Sequence, residues 1–146
     1  MSKSRKDLKL LSIVVLICVA ISFVMTVIDI CQFGLALPSV VIEGVSKEVI
    51  EILAITIIVF KLLFLFPQVY VGIKGIKEAK NPTKAKAHIV WAFIITLLFA
   101  LATIAAIIDV IKALNMDTIL VLAEIAIDTI FFGSYYVIAR RVRAGK

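Results

Sequence analysis

The chain has 146 residues, 63% of them hydrophobic, and a net charge of +6; its mean hydropathy is +1.16. A soluble domain of ordinary composition is about 45–50% apolar, so these values exclude one and point to a chain built for a bilayer. The basic excess does not point to nucleic acid, because thirteen of the sixteen Lys and Arg residues fall in three short clusters, one at each end of the chain and one between the second and third apolar runs.

Four runs have spanning length, roughly 8–33, 49–73, 87–113 and 118–138. The fold expected is an all-α integral membrane four-helix bundle forming a single domain over residues 1–146. The basic clusters lie at Lys3, Arg5, Lys6 and Lys9, at Lys74, Lys77, Lys80, Lys84 and Lys86, and at Arg140, Arg141, Arg143 and Lys146. Four spans put all three on one side, and the bias of Lys and Arg toward cytoplasmic loops makes that side the cytoplasm, with both termini inside. The expected location is the cell (inner) membrane.

The first run follows a basic start, as a secretory signal does. Its length and the lack of a small-x-small cleavage site make it a retained span. Cys18, Ser22 and Asp29 share one helical face, which should look into the bundle. Cys18 and Cys31, thirteen residues apart on one helix, are too distant for a disulfide and lack metal-ligand spacing. The loop that follows contains Pro38-Ser39, a helix break, and Ser46 is the expected N-cap of the second helix, with Glu48 and Glu51 near its positive end.

The second run is the one around which the chemistry gathers. It carries Lys61 near its middle, where an uncompensated charge costs about 2.5 kcal/mol or more. Ala54, Lys61, Gln68 and Gly72 lie close to one line at helical spacing, so Lys61 points inward, while Pro67 removes a backbone hydrogen bond and should kink the helix. Beyond it, Lys74, Lys77 and Lys80 form a basic ridge suited to anionic lipid heads, provided the helix continues. Asn81-Pro82 reads as the N-cap and first turn of the third helix.

His88 and Trp91 open the third run, and with Tyr70, Tyr135 and Tyr136 they suggest an interfacial aromatic belt. Ala102, Ala105, Ala106 and Asp109 form a small-residue stripe. The fourth run should be capped by Asp117 or Thr118. It carries Glu124 and Asp128 one turn apart, carboxylates that repel each other and are the expected partners of Lys61.

Two short matches suggest a tandem repeat of two helices. A shift of 80 lays Ile28-Asp29 on Ile108-Asp109, and a shift of 73 lays Glu51-Ile52 on Glu124-Ile125. Under it, Asp29, Glu51, Asp109 and Glu124 would converge as an acidic ring near the outer mouth.

The stretch with Pro67, Gly72-Ile-Lys-Gly-Ile-Lys, Asn81-Pro82 and His88-Ile-Val-Trp91 resembles a pattern in small uncharacterised four-span proteins of Gram-positive bacteria. That resemblance implies a bacterial membrane and no particular mechanism. Pro67-Gln68 also resembles the dipeptide of PQ-loop transporters, although four spans depart from their three-helix unit.

Two functions are carried forward. One is a non-enzymatic membrane component or scaffold held by a buried Lys–carboxylate pair, with lipid, a second copy or another membrane protein as partner. The alternative is a proton- or cation-coupled transporter or channel working as an oligomer. An enzyme is not expected, since neither His-Glu-x-x-His nor Gly-x-Ser-x-Gly occurs, and no cofactor or metal is called for.

Overall fold

In the computed structural model, residues 2–36 and 41–145 are described; the expected break at Pro38-Ser39 lies outside them. The protein is all-α. Helix α1 covers Lys3–Ala36, α2 Lys47–Lys80, α3 Ala87–Lys112 and α4 Met116–Arg143. Three of them, α1, α2 and α3, are long and apolar enough to cross a membrane. Much of their surface is Ile, Leu, Val and Phe, with Phe60 69% and Phe66 71% exposed, as a hydrocarbon surrounding requires.

Local chemistry sets the helix ends. Gly44, at φ +78°, turns the chain before α2, and Ser46 caps that helix by accepting the Val49 N–H at 3.4 Å. Helix α2 runs through Pro67 to Lys80, so the ridge of Lys74, Lys77 and Lys80 does lie on continuous helix. Its last carbonyls are satisfied from α1: the Arg5 guanidinium donates to Ala79 O at 2.7 Å and to Lys80 O.

Asn81-Pro82 does not begin α3. It terminates α2, and residues 81–86 are non-helical. The Glu78 carboxylate is the cause, because it accepts both the Thr83 N–H, at 2.7 Å, and the Thr83 hydroxyl, while Lys84 sits at φ +58°, a conformation no α-helix continues from. Helix α3 then starts at Ala87 with no side-chain cap. The cap of α4 also differs from expectation. Asn115 takes that role rather than Asp117 or Thr118, its side chain accepting the Thr118 N–H at 2.9 Å in a reciprocal capping box.

The chain divides into two compact units. The larger comprises Met1–Leu16 and Pro67–Lys146, the smaller Ile17–Phe66. The division crosses α1 and α2 and does not follow the two-helix halves of the expected repeat.

The larger unit is a four-helix bundle in its own right. Its core takes Leu8, Ser12 and Val15 from α1, Val71 and Ala79 from α2, Ile89, Ala92 and Ile95 from α3, and Phe132, Tyr135, Ala139 and Val142 from α4. Within each helix these recur at steps of three, four or eight, spacings that put residues on one helical face. Two glycines let the helices close up. A Cβ on Gly72 would lie 2.6 Å from the Leu16 side chain, and one on Gly75 would strike Ser12 Oγ and stand 2.5 Å from the Tyr135 hydroxyl. Tyr135 is fully buried and donates to Val71 O at 2.9 Å. Helices α3 and α4 pack antiparallel, with Phe99 stacked on Phe132 at 5.7 Å and Thr103 Oγ1 3.0 Å from Thr129 Oγ1.

Candidate functional site

The smaller unit is built from the second half of α1 and the first half of α2. Thr26, Asp29 and Gln32 project from α1 at steps of three, and Ile50, Leu53, Ala54, Ile57, Ile58 and Lys61 from one face of α2. Together with Ile42 they enclose a cleft of about 650 Å³, within the range of about 300–1,000 Å³ usual for a binding site. Its walls are mainly aliphatic. The polar groups are few and grouped: Lys61 Nζ lies 3.4 Å from Asp29 Oδ2, with the two side chains 55% and 51% exposed. Thr26 turns its hydroxyl back onto Ser22 O at 2.8 Å, so it adds little polarity.

This geometry brings together two residues that the sequence suggests for different tasks. Asp29 is the carboxylate against Lys61. Glu124 and Asp128, the partners expected for Lys61, stand on α4 of the larger unit, Glu124 exposed and Asp128 half-buried. Of the residues expected in an acidic ring, Glu51 is half-buried and Asp109 exposed. Lys77 and Lys80 are exposed and Lys74 half-buried. In the small-residue stripe Ala106 is buried and Ala105 exposed.

The aromatic belt needs correcting. Trp91 and Tyr70 are exposed at 43% and 39%, as an interface would have them, but Tyr135 is buried outright and His88 is 2% exposed. The two rings meet edge-on, 6.2 Å apart, inside the larger unit. His88 Nδ1 is buried with no hydrogen-bond partner among the described residues. The signal for this core was the pair Gly72 and Gly75, spaced three apart on α2, which leaves room for a large ring from another helix.

Among the described residues no group of three or more His, Cys, Asp or Glu side chains gathers that could hold a metal ion, and neither Cys18 nor Cys31 forms a disulfide. Chemically, the cleft can hold an apolar body and present a cation and an anion side by side. No protein-family model, no curated protein and no solved structure matches the chain.

Proposed function

We propose that the protein is a non-enzymatic, multi-pass component of a cell membrane that associates with another membrane helix through the cleft of its smaller unit. In this reading α4 spans the bilayer with the other three helices and both termini are cytoplasmic. Lys74, Lys77 and Lys80 then meet anionic lipid heads, and the resemblance noted above favours a bacterial membrane.

The observation that carries the reading is the half-exposed Asp29–Lys61 pair at an aliphatic cleft. Charges bared to hydrocarbon are costly. A second helix laid into the cleft removes that cost and covers the Ile and Leu walls, and a second copy of this chain offers the matching charges in return.

The test is the oligomeric state of the reconstituted full chain, counted by single-molecule photobleaching. Lys61→Met and Asp29→Asn should each shift the chain toward monomer while leaving its helix content intact, and the exchanged pair Asp29→Lys with Lys61→Asp should restore association. Unchanged association in the single variants would sink the proposal.

A second reading, proton- or cation-coupled transport, is favoured by Glu124 and Asp128 one turn apart on α4, with Asp128 half-buried. It requires flux into liposomes loaded with a pH-sensitive dye, and the loss of that flux in a folded Asp128→Asn variant. Liposomes that stay silent with the unaltered chain dispose of it.

A further inference from the structure

We infer that the basic end of the larger unit carries a binding site for a phosphoryl group. A cavity of about 430 Å³ opens there between three separate stretches of chain: Ser2 and Arg5 at the start of α1, Pro82 and Lys84 in the α2–α3 connection, and Val142 and Arg143 at the end of α4. Three cations thus converge from points far apart in sequence. Among the described residues no carboxylate lines the cavity. Like charges brought together without a counter-ion repel, and the fold does more than tolerate this, since it places Lys84 in the left-handed region, which a residue with a Cβ enters only at a cost.

The remaining geometry suits an anion of definite shape. Arg5 is fixed by its bonds to Ala79 O and Lys80 O, which occupy two of its five N–H donors and leave the planar fork pre-set for oxygen ligands. The first N–H groups of α1 follow Ser2, whose carbonyl accepts from Lys6 N at 3.1 Å, so the positive end of a 34-residue helix lies at the same place. Arg140, also near the end of α4, is engaged elsewhere: it lies over the Tyr136 ring, 5.7 Å from its centre, and donates to the Tyr136 hydroxyl. Pro82 and Val142 supply an apolar edge. The ligand class is therefore a phosphate ester with a short organic body, drawn either from a lipid headgroup or from a soluble phosphate. The site belongs entirely to the larger unit and is independent of the association proposed for the cleft.

Calorimetric titration of the full chain in a neutral detergent tests it, with dihexanoyl phosphatidate, dihexanoyl phosphatidylcholine and inorganic phosphate as probes. Phosphatidate should bind at least tenfold more tightly than phosphatidylcholine. A variant with Lys84→Gln and Arg143→Gln should lose at least tenfold in that affinity. A control with Lys6→Gln and Arg141→Gln, which removes the same charge from exposed positions at the same end, should lose less than threefold. Arg5 is left intact because it also ties α1 to α2. Tight binding of phosphatidate alone assigns the site to a lipid, and comparable binding of inorganic phosphate assigns it to a soluble ester. Absence of binding by both, full affinity in the Lys84/Arg143 variant, or an equal loss in the control overturns the proposal.

Discussion

The two units use the same materials to opposite ends. In the larger one the helices close on glycine, and a tyrosine ring with a satisfied hydroxyl fills the gap. In the smaller one two half-helices leave a cleft of about 650 Å³ with an ion pair at its edge. Small residues at a contact let backbones approach and hold without help from outside; large aliphatic residues facing each other across a gap leave surface for something else to cover. One unit fills its core with its own side chains, while the other leaves an aliphatic face uncovered.

Glycine substitutions offer the strongest way to break that contrast. Gly75→Ala should lower unfolding stability by about 3 kcal/mol, because neither Ser12 nor the Tyr135 ring can yield without losing a buried hydrogen bond. Gly34→Ala, where nothing lies within 4 Å of the added methyl, should be neutral or gain up to about 1 kcal/mol from helix propensity. Denaturant titration followed by circular dichroism compares them, and equal losses would erase the distinction. Next in size is Tyr135→Phe, which keeps the ring but removes the buried hydroxyl that donates to Val71 O and should cost about 1 kcal/mol in the same titration.

Asn115→Ala removes the cap of α4 and should cost about 1 kcal/mol, with Asn115→Asp recovering most of it. The smallest effect belongs to Lys61→Met. Its partner is half-exposed, and ion pairs of that kind contribute about 0–1 kcal/mol to folding, so in detergent the unfolding midpoint should scarcely move. A large loss there would mean that the pair holds the smaller unit together rather than serving association.

The four helices were legible as long, mostly apolar runs, three of them long and apolar enough to cross a membrane, where a helix satisfies all of its own backbone hydrogen bonds. Their bounds were less so. Asn81-Pro82 has the composition of a helix start, yet Glu78 overrides it by reaching forward to Thr83, a contact that pattern alone does not reveal. Tyr135 and His88 were misread as belt residues because they lie near the ends of apolar runs; the ring's true place depends on which helix faces Gly75. Lys61 was recognisable as needing a carboxylate. Four helices offered several, and the choice of Asp29 depends on how α1 and α2 are set against each other, which a loop sequence does not specify.

The turn between α3 and α4 bears on how the chain is made. Only residues 113–115 separate the two helices, and Asn115 starts the second at once. With so short a link the two helices can pair as soon as both exist, Thr103 against Thr129 hydroxyl to hydroxyl, a local contact that asks nothing of the rest of the chain.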